Sequence, residues 1–170
     1  ISDMPPTDAL LLDNFFPQPD FVELRRGYES QATGLTSAVE SILHWSGPTS
    51  QKIFGAAGAN IFDVTSVGAV GSAAVSRLGS ARWQQVMQAT AGGNFLIICN
   101  GVDSVRGFDG SSWTTPSITG ISSATLDNLW LFKERVFFVE ENSLSAWYLG
   151  TKAITGAATE LPLGSVFKKG

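Results

Sequence analysis

The sequence predicts an all-β fold of repeated antiparallel units, and three observations carry the prediction. Three stretches read alike, each an apolar run, a small or polar break and a second run with an aromatic: Lys52–Thr65, Asn94–Thr114 and Arg135–Gly150. They recur at one interval, Ile53 to Phe95 being 42 residues and Phe95 to Val136 being 41. Only strand-like segments lie inside that interval, and the chain's 18 glycines, with Ser and Thr, supply its turns. A period of ~40–45 residues filled with strands is the sequence mark of β-propeller blades. The expectation is a partial β-propeller of about three antiparallel blades, with a period near 42 residues, after an extended N-terminal arm.

Residues 1–36 are read as the arm and a strand. Pro5, Pro6, Pro17 and Pro19 break up the first part, leaving Asp8 to Asn14 room for one helical turn capped by Thr7 or Asp8. Phe21–Tyr28 begins with apolar and polar residues in alternation, which predicts a strand with a turn at Gly27.

Residues 37–150 are read as three blade-like repeats. The first has strands over Val39–Trp45, Lys52–Ala57 and Asn60–Val64, with turns at Gly47-Pro48 and Gly58–Asn60, where Gly and Asn tolerate positive φ. The second has Arg82–Ala89, a turn at Ala91–Gly93, then Phe95–Cys99 and Val105–Phe108. After the turn Asp109–Ser112, Trp113 opens a further short strand. The third has Asp127–Phe132, a turn at Lys133–Arg135, Val136–Glu140, a turn at Asn142-Ser143, and Leu144–Leu149. Segments 66–80 and 114–123 are expected to hold a fourth strand or a crossover. Residues 151–170, rich in Gly, Ala and Thr, read as a linker into a further element. A blade cannot bury both faces alone, and propellers close with ~4–8 blades. The missing neighbours are therefore expected from further chain, from other subunits or from an open arrangement.

Charged residues make up only 15% of the chain, against roughly 25% in ordinary soluble domains. The net charge of −4 gives no basic field to draw in nucleic acid or anionic lipid. This charge does not exclude a channel protein, since an acidic or neutral channel wall does not grip phosphate. No run approaches ~18 apolar residues, which predicts no transmembrane helix. Ile1–Pro6 lacks the basic region and apolar core of a secretion signal.

Candidate chemistry is sparse. His44 and Cys99 are the only histidine and cysteine, so no internal disulfide forms and a zinc set or Cys-His pair lacks its members. No Gly-x-Ser-x-Gly elbow nominates a serine for a triad on His44. Gly55-Ala56-Ala57-Gly58 lacks the Lys and Ser/Thr of a phosphate loop. A glycosidase needs two carboxylates facing one sugar ring, and the available pairs are Asp103/Asp109 and Glu140/Glu141. Asp103 and Asp109 lie in Gly/Ser turns, where Asp bonds its own backbone, and Glu140-Glu141 reads as a hairpin tip. The expectation is a protein with no catalytic residues, cofactor or metal. Trp45, Trp83, Trp113, Trp130 and Trp147 offer stacking surfaces, whereas Phe54, Phe95 and Phe137 hold comparable places in the three repeats and read as core. The candidate ligand or interface residues are Trp113, Trp147 and Asp109. His44 beside Trp45 is expected to be packed or half-exposed, and Cys99 to act as a buried small hydrophobe.

Leu12-Asp13-Asn14-Phe15-Phe16-Pro17-Gln18-Pro19, followed by Val22–Tyr28 with its Arg25-Arg26-Gly27 ending, resembles a recurrent opening of bacteriophage and prophage virion proteins. Ala56–Thr65, Phe108–Trp113 and Leu131–Glu140 resemble blade segments of the same proteins, the tail nozzle or tail tubular protein B type. The resemblance implies a structural subunit of a ring-shaped tail, normally a hexamer, that assembles with copies of itself and other tail proteins. It implies location in the virion after synthesis in the host cytoplasm, and phage DNA passing through without sequence-specific binding. It brings no catalytic residues. The alternative is a carbohydrate- or receptor-binding β-propeller module using Trp113 or Trp147 with Asp109.

Overall fold

Side-chain alternation along a strand decides which face it buries, and here it sets three sheets front to rear. In the computed structural model, which describes Asp13 and residues 15–166, the fold is all-β. Residues 1–30 and 31–170 form two compact units. In the first, β1 (Phe15–Pro17) pairs antiparallel with β2 (Val22–Leu24). The helical turn expected at Asp8–Asn14 lies, but for Asp13, outside the described residues.

The second unit opens at residue 31 with β3 (Ala32–Thr33). The first sheet is an antiparallel meander of β4 (Val39–Ser46), β5 (Gln51–Ala57) and β6 (Asn60–Asp63). Segment 66–80 supplies β7 (Gly68–Ala69), parallel to β3, and a single bridge from Val75 to Ile61. The second sheet is a four-stranded meander of β8 (Gln84–Thr90), β9 (Gly93–Cys99), β10 (Arg106–Phe108) and β11 (Trp113–Thr114). Segment 114–123 then gives β12 (Ile118–Thr119).

The third sheet holds β13 (Leu126–Phe132), β14 (Arg135–Glu140) and β15 (Ser145–Tyr148). Beyond it, β16 (Gly156–Ala157) runs parallel to β12, and β17 (Thr159–Pro162) joins the third sheet as its fourth strand. Residues 151–170 are thus not a linker out of the repeats as far as Val166, where a helical turn, Leu163–Val166, ends the described chain. The outer edge of β15 has backbone groups to satisfy, and a Gly/Ala/Thr-rich segment meets that need without an apolar signature.

Each sheet has a front face, bearing Phe54, Phe95 or Phe137, and a rear face. The front of the first sheet (Leu43, Trp45, Phe54, Ala56) packs on the rear of the second (Leu96, Ile98, Phe108). The front of the second (Ile97, Cys99, Val105, with Phe95) packs on the rear of the third (Leu129, Val136, Phe138). A third cluster, Ala57, Phe62 and Val64 with Leu35 and Val70, covers part of the rear of the first sheet. The equivalent residues are therefore Phe54, Phe95 and Phe137, at intervals of 41 and 42. The Ile53–Phe95–Val136 alignment gives nearly the same period but slips one residue in phase, which moves a side chain to the opposite face.

Hydrogen bonds between the first and second sheets span one repeat. Arg82 Nε meets Glu40 Oε2 at 2.8 Å, and Trp83 N donates to Ser41 Oγ at 2.8 Å. The Gln85 carboxamide accepts from His44 N at 2.9 Å and donates to Ile42 O at 3.4 Å, along the free edge of β4. Among the described residues no sheet closes on itself, and the first and third sheets share no core cluster.

Candidate interaction surface

The front of the third sheet is where aromatic side chains gather without a sheet over them. The tight turn Lys133-Glu134 has positive φ at both residues, 48° and 60°, which matches the twist of a two-residue hairpin. That turn sets Phe132 opposite Arg135 and Trp130 opposite Phe137, and the next ladder sets Phe137 opposite Tyr148. Same-face neighbours across a ladder touch, and the rings form a row. Trp130 stacks on Phe137 at 5.4 Å and 17°, Phe137 lies 5.3 Å from Tyr148, and Phe132 meets Phe137 edge-on at 6.2 Å. Arg135 lies over Tyr148 at 5.5 Å and Lys133 over Phe132 at 5.4 Å, cation–π contacts that rim the row with positive charge. Trp130 remains 39% exposed and Phe132 55%.

Within the second unit, the opposite end of the series is also partly open. On the rear of the first sheet, Val39, Ile42, Ile53, Gly55 and Val64 line a mostly apolar hollow of about 510 Å³, bordered by Gln31, Ala32 and Leu35. Ile42 is 68% exposed there. A Cβ at Gly55 would stand 3.5 Å from Val64 and 3.8 Å from Val39, so a larger side chain at 55 would fill the recess.

The tryptophans singled out from the sequence lie elsewhere. Trp113, on β11, is half-buried between the first two sheets, 5.1 Å from Phe54 and 5.2 Å from Phe108. Trp147 is half-buried in the second cluster, its indole N–H donating to Glu140 Oε2 at 3.0 Å. Asp109 is exposed, its carboxylate accepting from Ser111 N and Ser112 N, both at 2.7 Å, and from Ser112 Oγ at 3.2 Å. The backbone bonds from Ser112 and Ser111 hold its carboxyl below the usual range. The same turn brings Gly110 against Trp45, where a Cβ would lie 2.4 Å from the indole.

The other titratable groups are tied to local structure. Asp103 accepts from Gly79 N at 2.9 and 3.0 Å, from Ser80 N at 3.3 Å and from Asn100 Nδ2 at 2.8 Å. It pins the segment entering β8 to the β9–β10 loop. Cys99 is buried, and His44 is exposed on the rear of β4. Arg25 and Arg26 are exposed, and Lys168-Lys169 lies outside the described residues. Among the described residues, no group of three or more His, Cys, Asp and Glu is placed to hold a metal ion. No helix among them is long and apolar enough to cross a membrane.

Sequence reasoning took Trp130 and Phe137 separately and missed the row. The available signal was the mirror symmetry of a hairpin about Lys133-Glu134, which pairs 132 with 135 and 130 with 137. What the surface can do is bind another apolar, sheet-like face, because it presents rings and aliphatic side chains with cations at the rim. Comparison with family models, with curated proteins and with solved structures finds no match to this chain.

Proposed function

We propose that the chain is a non-enzymatic structural component of a bacteriophage or prophage tail, a nozzle or tube subunit built on a partial β-propeller. The observation that carries this reading is the front-to-rear stacking of three sheets in one phase, with an apolar face left wholly or partly uncovered at each end of the series. Blades are stable only with neighbours, so a series open at both ends suits membership of a larger ring. The contacts of β8 with β4 on one side and β13 on the other suit blades arranged around an axis.

The resemblance of Leu12–Tyr28 and the blade segments supplies the kind of ring: a tail tube that assembles from copies of itself and other tail proteins. A net charge of −4 suits a channel wall that lets DNA pass without gripping it. Asp103 and Asp109 are occupied by their own turns, and Trp113 and Trp147 by core packing, so neither the glycosidase nor the sugar-binding reading gains support.

Immunogold labelling of purified particles with antiserum to this chain tests the proposal. Gold at the tail is expected, and deletion of the reading frame should leave particles that fail to eject DNA. Infectious particles that carry no label, or that survive the deletion, overturn it.

A further inference from the structure

We propose that two copies of this chain associate head to tail, the ringed front of the third sheet of one seating in the hollow on the rear of the first sheet of the other. The inference rests on the stacked-sheet part of the function proposed above and not on the tail assignment, so either can fail alone.

The case is continuity with contacts the chain already makes. Twice a front face is covered by the rear face of the following sheet: Phe54 and Trp45 by Leu96, Ile98 and Phe108, then Phe95 and Ile97 by Leu129, Val136 and Phe138. The third front, with Trp130, Phe132, Phe137 and Tyr148, is built in the same phase, 42 residues after the second. What fits such a front is a rear face, and among the three stacked sheets the rear face left partly uncovered is that of the first.

The two surfaces also differ in the sense that pairing requires. One carries protruding rings, and the other a recess of about 510 Å³ floored by Gly55 and walled by Ile42, Ile53 and Val64. Front against front opposes two sets of rings, and rear against rear opposes two recesses. A heterologous contact has neither defect, and it closes if the rotation suits. Two copies of a three-sheet series give six sheets, within the ~4–8 at which such rings close.

Sedimentation analysis of the 18.0 kDa chain reads this directly. At ~100 µM, far above the micromolar Kd of weak standard-size interfaces, the mass should be twice that of the monomer. Trp130→Glu on the front and Ile42→Glu on the rear should each give monomers. Mixing the two variants should restore association, because each retains the face the other has lost. Disulfide trapping of a Trp130→Cys copy to an Ile42→Cys copy should yield the mixed dimer. A monomeric parent chain overturns the proposal. So does an Ile42→Glu variant that stays dimeric, since it points to front-on-front pairing, and so does a mixture that stays monomeric. Thermal melts check each fold, and Phe132→Glu on the same face replaces Trp130→Glu if that variant does not fold.

Discussion

Cys99 closes β9 inside the cluster that joins the second and third sheets, with its thiol fully buried. Burial, and then the charge of Asp127, push that thiol up to about 12 from an ordinary 9.0. The folded chain therefore keeps a proton that the unfolded chain loses, so stability falls as pH rises between those two values. The native protein should resist maleimide under mildly alkaline conditions and react once denatured. Urea midpoints should drop across the alkaline window in the parent and drop less in Cys99→Ala. Equal labelling of native and denatured chains would refute the burial. Asp109 has the opposite character at this scale: an exposed carboxylate fixed by its own turn, whose visible task is to set Gly110 against the Trp45 indole.

At the scale of the element, the β13–β14 hairpin holds its strain in two residues. Lys133 and Glu134 adopt positive φ without being glycine, which costs about 1 kcal/mol or more for each L-residue. Glu134→Gly should raise stability by about 1 kcal/mol, less the small loss of its exposed pair with Lys152. A lower melting temperature in that variant would contradict the hairpin geometry. This element also marks how far the sequence could be read. The long strands of all three sheets were legible, because β5, β9 and β14 carry continuous apolar runs bounded by Gly, Asn or charged turns. The short strands were not: β3, β7, β12 and β16 have two residues each and form parallel pairs across 36 to 38 positions, which no local pattern encodes. β17 was hidden for a different reason: it pairs antiparallel with β15, but its four residues, Thr159–Pro162, carry no apolar alternation to mark a strand. Candidate site residues were harder still. A tryptophan on a strand reads alike whether it faces a neighbouring sheet, as Trp113 does, or an open side, as Trp130 does.

At the scale of the whole molecule, the same repeat position has two fates. Phe54 is buried by the following sheet, whereas Phe137 sits in a row with no sheet over it. Phe54→Ala should cost about 3–5 kcal/mol at any protein concentration. Phe137→Ala should cost about 1–2 kcal/mol in dilute solution and more once copies associate, read as concentration-dependent melting. Equal costs at the two positions in dilute solution would mean that the front of the third sheet is covered as that of the first is. The Gln85 carboxamide has a bearing on how such a molecule meets others. It occupies Ile42 O and His44 N on the free edge of β4, the groups an incoming strand would use. At this edge, lateral addition of a strand, the route to cross-β aggregation, has lost its template. Layers can still be added on top, so the molecule is open to ordered growth by stacking where it is closed to growth by zippering.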